Sequence, residues 1–295
     1  MKRRDFLKNS ILTGTALAAP SLWAQKSQSS PEIALFTKPF QHLSYKDFSN
    51  LIAEIGASGV ELPLRPKGHI EPNAAEVELP KMVEELKKNN LKVNILASGI
   101  NNVDSPNAEK TLRAAKALGI TQYRMSYFKY DLKKPILPQI ENIKAQVRDL
   151  VAMNQEIGVQ ALYQNHSGAN YFGAPLWDLF SVLKDFDKKY IASAFDICHA
   201  AAESGKCWEI QQNLLKPYTA AVYVKDFTWN KQQYQKMPLG AGNVKKKFFD
   251  NVKKSGFAGP YSLHVEYFSH KDKSATPKFV EAFKKDLKTL KALIS

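Results

Sequence analysis

Carboxylate and imidazole side chains that could carry out proton transfer collect at the ends of strand-like segments in the second half of the chain. His264 and Glu266 stand two positions apart in an apolar segment, so both would point to the same side of a strand. Asp196 ends another apolar segment, and His199 follows it three residues later. Carboxylates and imidazoles bind divalent metals and also serve as general bases and acids. The pattern therefore indicates a catalytic or metal-binding site.

Other strand-like segments end in polar residues as well. A polar group buried alone among aliphatic side chains is costly, and a single histidine in such a place is more often structural than functional. Several polar groups that converge on one rim favour a functional site instead. The additional candidates are Glu61, Arg124, Gln164, His166, Tyr223 and Lys225.

Eight strand-like segments, each followed by a helix-like segment, run from Glu32 to the C-terminus. Predicted strands cover residues 33–36, 59–62, 92–97, 121–126, 159–164, 191–196, 219–225 and 260–266. Predicted helices cover 45–55 (capped by Ser44), 74–89, 108–118, 137–157, 176–186, 209–215, 244–255 and 278–293, with loops elsewhere. This alternation predicts an α/β fold, a single (β/α)8 TIM barrel over residues 31–295.

A doubly wound open sheet is the alternative architecture. It would usually carry a glycine-rich loop after its first strand, and residues 37–40 contain no glycine. In a barrel, the carboxyl ends of all strands meet at one face, where active sites form. We therefore expect Asp196 and Glu266 to share one pocket.

Residues 1–30 are predicted to be a twin-arginine-type export signal with a short linker, which implies a periplasmic or secreted protein. Lys2, Arg3 and Arg4 form a basic head, residues 11–19 an apolar run, and small residues follow. A disordered tail or an amphipathic helix is the alternative. No later segment has the length and apolarity of a membrane helix, so we expect no membrane insertion after signal cleavage.

The net charge of +14 could attract a polyanion. The lysines, however, are scattered in pairs and triplets over predicted helices, which favours solvated helix faces over a nucleic-acid surface. The positive charge could also attract an anionic substrate.

Cys198 and Cys207 could pair in an oxidising compartment, but two cysteines do not make a disulfide scaffold.

Five polar segments follow one another in the second half of the chain: YQNHSG (163–168), FDICHA (195–200), VKDFTW (224–229), PLGAG (238–242) and HVEY (264–267). Taken in order, they resemble the sugar phosphate isomerase/epimerase family of xylose-isomerase-like barrels. The resemblance covers essentially all of residues 31–295. It implies one divalent metal, held by Glu on strand five, Asp on strand six, His on strand seven and Glu on strand eight. Asp196 and Glu266 match the second and fourth of these ligands.

The sequence departs from this family pattern at three positions. Gln164 stands where the strand-five Glu is expected, Tyr223 where the His is expected, and Ala241 where a Glu is often found between two glycines. Glutamine can coordinate a metal through its carbonyl oxygen, whereas neutral tyrosine is a poor ligand. We therefore expect an altered site for Mn²⁺, Mg²⁺, Co²⁺ or Zn²⁺ that uses Asp196, Glu266 and Gln164.

The resemblance implies a sugar isomerase or epimerase in which the metal assists proton transfer, with two carboxylates working on opposite faces of an enediolate. An amide at Gln164 cannot take a proton, so that two-carboxylate mechanism is impaired. One-base proton transfer remains, with Glu266 as the base and Lys225 or His199 stabilising the oxyanion. The alternative is a lyase or dehydratase that eliminates from a keto sugar, with His166 or His264 as the acid.

We expect a small sugar or sugar derivative as the ligand. Aromatic rings stack on sugar faces, although aromatics in a barrel of this size are more often packing residues. The expected substrate-binding residues are Glu61, Arg124, Phe172, Trp229 and His264.

A metal-free or non-catalytic sugar-binding barrel is a rival interpretation. A nuclease is another, because apurinic endonucleases share the barrel, but these enzymes need a richer set of His and Glu ligands.

Overall fold

The computed structural model describes residues 31–231 and 233–295. The predicted export signal lies outside these residues. The strands are β1 (Ile33–Phe36), β2 (Gly59–Leu64), β3 (Lys92–Ser98), β4 (Gln122–Arg124), β5 (Gln160–Gln164), β6 (Ile191–Asp196), β7 (Thr219–Val224), β8 (Asp226–Asn230), β9 (Gln233–Met237) and β10 (Tyr261–Leu263). The α-helices are α1 (Tyr45–Ile55), α2 (Ala75–Lys88), α3 (Ala108–Ala117), α4 (Ile136–Ile157), α5 (Trp177–Leu183), α6 (Ile197–Ser204), α7 (Trp208–Leu215), α8 (Lys246–Lys254) and α9 (Thr276–Ile294).

Eight parallel strands close into a barrel in the order β1-β10-β7-β6-β5-β4-β3-β2. The remaining strands, β8 and β9, form a separate antiparallel hairpin. The predicted single (β/α)8 barrel is therefore confirmed. The predicted bounds of β1, β6 and α1 coincide with the observed ones, and the Ser44 side chain caps α1 by accepting the Asp47 N–H.

Strand alternation separates the barrel interior from the layer beneath the helices. Ala221 and Tyr223 of β7 belong to a small buried cluster inside the barrel, whereas Val222 and Val224 pack in the larger outer core. Alanines at 192 and 194 of β6 lie in the same inner cluster and leave room for the tyrosine ring. Because inward positions are two apart, the next inward position after Tyr223 is Lys225.

The structure differs from the sequence prediction after β6 and after β7. Residues 197–204 form α6 rather than a loop, because the Asp196 carboxylate accepts the His199 N–H and several apolar residues of α6 are buried. After β7 the chain forms the β8–β9 hairpin. The Asp226 carboxylate accepts four backbone N–H groups at this point, one from Phe227 and three from residues 240, 242 and 244.

Two smaller expectations concern the cysteines and the membrane. Cys198 is buried, Cys207 is exposed, and neither forms a disulfide. Within residues 31–231 and 233–295, no helix has the length and apolarity needed to cross a membrane.

We predict that Asp226→Ala lowers the free energy of unfolding by about 3 kcal/mol, because buried backbone N–H groups lose a charged acceptor. Urea unfolding measures this loss. Asp250→Ala is the matched control, since Asp250 pairs only with Lys246 on the exposed surface of α8, and it should change stability by less than about 1 kcal/mol. Equal effects of the two substitutions would contradict the role given to Asp226.

Candidate active site

Seven polar side chains form a closed ring of contacts at the face of the barrel where the strands end. Each contacts the next through a nitrogen–oxygen distance between 2.7 and 3.6 Å, and the last contacts the first. We call this set the rim ring. It brings together the predicted site residues of β2, β4, β5 and β6 and of the segments after β7 and β10. In order, its members are Glu61, Arg124, Gln164, Asp196, Lys225, Glu266 and His264.

One side of the rim ring is built around Glu61, which is fully buried. Its Oε1 lies 3.1 Å from Arg124 Nε, and its Oε2 lies 3.0 Å from His264 Nε2 and accepts the Ser262 hydroxyl at 2.5 Å. The Phe36 ring stacks on His264 at 4.5 Å and lies 4.8 Å from the Arg124 guanidinium carbon. Glu61 therefore fixes both the arginine and the imidazole, and Phe36 shields them from water.

The other side of the rim ring is built around Asp196, which is also fully buried. Its Oδ2 accepts the Gln164 side-chain N–H at 2.7 Å and lies 3.1 Å from Lys225 Nζ. The same lysine nitrogen lies 3.6 Å from Glu266 Oε2. The expectation that Asp196 and Glu266 share one pocket is therefore met, with Lys225 between them.

The charges of the rim ring follow from these contacts. Burial raises the pKa of Glu61, but Arg124 and His264 outweigh it and bring the pKa to about 2. Burial also opposes ionisation of Asp196 and Glu266, yet positive neighbours, including Lys225, hold the pKa of each carboxyl below its usual range. Burial lowers the pKa of Lys225, but these two carboxylates more than offset it and leave the pKa above its usual value. At neutral pH the three carboxylates are ionised and the lysine is charged.

Two further histidines adjoin the rim ring. The His166 and His199 rings lie 4.0 Å apart between centroids. His199 Nε2 is 3.7 Å from Asp196 Oδ2, and its Nδ1 is 2.8 Å from the Ser167 hydroxyl. Burial lowers the pKa of His166 to about 4 and that of His199 well below its ordinary value. Both imidazoles are therefore neutral at neutral pH, which favours hydrogen bonding over proton donation as their role.

The two aromatic residues expected to bind substrate occupy different environments. Trp229 lies on β8 with 47% of its surface exposed, and it packs on Phe227 and Tyr234. Phe172 is 1% exposed and packs edge-on against Tyr163. The structure thus leaves Trp229 accessible to a ligand and places Phe172 in the core, where it supports β5.

The structure adds Lys236 and Tyr127 to the residues expected from sequence. Lys236 Nζ lies 2.9 Å from Glu266 Oε2, a contact made by the β8–β9 hairpin that the sequence analysis did not predict. The Tyr127 hydroxyl donates to Gln164 Oε1 at 2.6 Å. The alternation of residues 226–237 is the signal that could have revealed the hairpin, whereas nothing in the sequence gives the direction of the Tyr127 side chain.

A cavity of about 910 Å³ lies at the opposite end of the barrel, between α7 and α8. Lys188, Lys216, Lys254 and Phe248 are among the residues that line it. No member of the rim ring lines this cavity. The chemistry of the side chains, rather than the size of the cavity, places the candidate active site at the carboxyl ends of the strands.

The sequence model of the family described as xylose isomerase-like TIM barrel matches residues 50–293. The chain belongs to this family. The resemblance found in its sequence motifs is thereby confirmed. A search of curated proteins finds no match.

Solved structures of this xylose isomerase-like barrel are similar in fold at low sequence identity. A putative xylose isomerase from Rhodospirillum rubrum is 15% identical with a TM-score of 0.71, covering 90% of this chain and 99% of its own. D-psicose 3-epimerase with D-tagatose from Clostridium cellulolyticum H10 is 12% identical with a TM-score of 0.68, at 90% and 99% coverage. The 3-keto-D-glucoside 4-epimerase of E. coli is 13% identical with a TM-score of 0.68, at 89% and 99% coverage.

The residues present do not fit a divalent metal in the arrangement that the family pattern implies. Gln164 Oε1 already accepts hydrogen bonds from Arg124 and Tyr127, and its N–H group points at Asp196. Tyr223 is fully buried in the inner cluster. Among the residues that the structure describes, no three His, Cys, Asp or Glu side chains are placed to hold a metal ion. The predicted ligands Asp196, Glu266 and Gln164 therefore lie together, but Gln164 and Lys225 direct N–H groups at Asp196.

We predict that Glu61→Gln destabilises the protein above about pH 4.5 and has progressively less effect as the pH falls toward 2. The sign follows from the lowered folded-state pKa of Glu61: its stabilising contribution is complete above the ordinary value of 4.5 and is lost as the pH falls toward about 2. Urea unfolding of both proteins across this range measures the difference. Glu76→Gln, on the surface of α2 beside Lys110, is the control, and a pH-independent effect of Glu61→Gln would contradict this prediction.

Proposed function

We propose that this chain is a sugar isomerase- or epimerase-like enzyme that moves a proton next to the carbonyl of a carbohydrate or keto sugar. The observation that carries the proposal is the contact of Lys225 with Glu266 at the carboxyl ends of the strands. It pairs an ionised carboxylate that can accept a proton with a cation that can stabilise the resulting oxyanion. Two of the solved structures with this fold are epimerases of a ketose and of a keto-glucoside.

Glu266 is the rim-ring carboxylate best placed to act as the base. Its side chain is 24% exposed, whereas the Asp196 and Glu61 side chains are fully buried. A substrate that enters from solvent therefore reaches Glu266 first. His264 Nδ1 lies 3.6 Å from Glu266 Oε1, so the imidazole that Glu61 holds in place lies beside this carboxylate.

Lys225 is the group we assign to the carbonyl oxygen. When Glu266 removes the C–H proton, the bonding electrons form a carbon–carbon double bond and the carbonyl electrons move to oxygen. The ammonium of Lys225 then donates to that oxygen. The proton then returns to the former carbonyl carbon. The hydroxyl on the carbon first deprotonated becomes the new carbonyl, and its proton passes to the oxyanion, which yields the isomeric carbonyl compound.

A second acid on the opposite face distinguishes an epimerase from a one-base isomerase. In the family pattern a glutamate on strand five supplies this second group. This chain has Gln164 at that position, and the N–H and carbonyl groups of its amide are both hydrogen-bonded. This favours isomerisation on one face over two-base epimerisation. The predicted export signal favours a sugar without phosphate, because phosphorylated sugars are scarce outside the cytoplasm.

We predict that Glu266→Gln lowers kcat by about 10²–10⁴-fold and that Lys225→Met lowers it by about 10²–10³-fold, because the first removes the base and the second the oxyanion donor. A panel of aldoses, ketoses and keto-glycosides in D₂O, followed by NMR, reports both turnover and exchange of the C–H proton. Glu84→Gln, an exposed carboxylate on α2, is the control and should leave kcat unchanged.

Three outcomes would contradict parts of this assignment. Sugar binding without proton exchange would favour the non-catalytic sugar-binding barrel. Full activity in Glu266→Gln would remove Glu266 as the base. Accumulation of an unsaturated product would instead assign the proton transfer to β-elimination, the lyase alternative.

A further inference from the structure

Lys225 lies where a cation held by Asp196 and Glu266 would lie. Its Nζ is 3.1 Å from Asp196 Oδ2 and 3.6 Å from Glu266 Oε2, and its side chain is only 5% exposed. Divalent metals bind carboxylate oxygens at about 2.0–2.6 Å. Ammonium groups pair with carboxylates at distances of about 2.7–4 Å, which matches the spacing here.

Both carboxylate oxygens of Asp196 also accept hydrogen bonds from groups other than Lys225. Its Oδ1 accepts the backbone N–H of His199 at 3.1 Å, and its Oδ2 accepts the side-chain N–H of Gln164 at 2.7 Å. Arg124 and Tyr127 donate to the other end of the glutamine amide and fix its orientation. A metal at this point would have to displace a hydrogen-bonded N–H group as well as the lysine.

The carboxylates of the site are already matched by cations without a metal. Three carboxylates, Glu61, Asp196 and Glu266, face three cations, Arg124, Lys225 and Lys236. Lys38 and Arg65 add positive charge near Glu266. A divalent cation placed among these groups would add uncompensated positive charge in a poorly hydrated pocket, which is strongly unfavourable.

We propose that this chain has no resident divalent metal and that the Lys225 ammonium takes the place of the metal between Asp196 and Glu266. The part of the proposal that concerns metal binding stands on the geometry alone. The part that gives Lys225 the metal's task of polarising the substrate oxygen rests on the function proposed above. A solved structure with this fold from Mycobacterium smegmatis, 15% identical with a TM-score of 0.64 at 90% and 98% coverage, is a magnesium complex, so the proposal separates this chain from that barrel.

The test measures Mn²⁺ binding by the purified full-length protein, through elemental analysis after dialysis and through the thermal midpoint with and without millimolar Mn²⁺. We expect wild-type protein to carry far less than one equivalent of metal and to show no shift of the midpoint. Lys225→Met leaves two carboxylates without their shared cation. It should therefore gain affinity for Mn²⁺, with a rise of the midpoint of about 3 °C or more at saturation.

Lys236→Met is the matched control. Lys236 also pairs with Glu266, at 2.9 Å, but its side chain is 41% exposed and it does not contact Asp196. We expect no gain of Mn²⁺ affinity in this variant. Stoichiometric metal in wild-type protein, a wild-type midpoint that rises with Mn²⁺, or an equal gain in both variants would overturn the proposal.

The wild-type measurements decide the case even if Lys225→Met fails to fold. They are also independent of catalysis. Wild-type protein that binds no metal and turns over no sugar would refute the proposed function while leaving the metal-free site standing. Turnover that a chelator abolishes and Mn²⁺ restores would instead refute the metal-free site while supporting the proposed function.

Discussion

Burial of carboxylates at the barrel rim is the constraint on which the rest of the site depends. Glu61, within β2, and Asp196, at the end of β6, are fully buried on opposite sides of the closed barrel. An ionised carboxylate removed from water must be paired and hydrogen-bonded, or it neutralises. Arg124 and Lys225 supply the opposite charges, and Gln164 links the two pairs by donating to one and accepting from the other. The rim ring is therefore a single network in which no member can change charge without leaving a partner uncompensated.

The same constraint connects the fold to the chemistry. Asp196 ends β6 and caps α6, so the carboxylate that pairs with Lys225 also sets the start of the helix that carries His199. Asp226 follows Lys225 directly and gathers four backbone N–H groups, which holds the hairpin that brings Lys236 to Glu266. Two buried aspartates thus position the lysines on both sides of Glu266.

Much of this architecture could be predicted because strand alternation is a local property. The apolar residues around His264 and Glu266 predicted the direction of these two side chains. The valines at 222 and 224 predicted that Tyr223 points into the barrel, where the structure places it. Helix α6 was not predicted because its N-cap, Asp196, is also the last residue of β6. The β8–β9 hairpin was not predicted because the family motif in that segment was interpreted as a loop. The orientation of Gln164 depends on donors 37 and 40 residues away in sequence, so no local pattern could give it.

Gln164 and Tyr223, which depart from the family pattern, are consistent with each other when the charges of the whole rim ring are counted. A glutamine in place of a glutamate removes one negative charge, and a tyrosine in place of a histidine removes a metal ligand. The two carboxylates that remain beside Lys225 are matched by that lysine and by Lys236. A single buried ammonium delivers its charge from a fixed side chain, whereas a metal must be captured from solution and dehydrated. The rim ring therefore holds a preorganised positive charge, the Lys225 ammonium, beside Glu266.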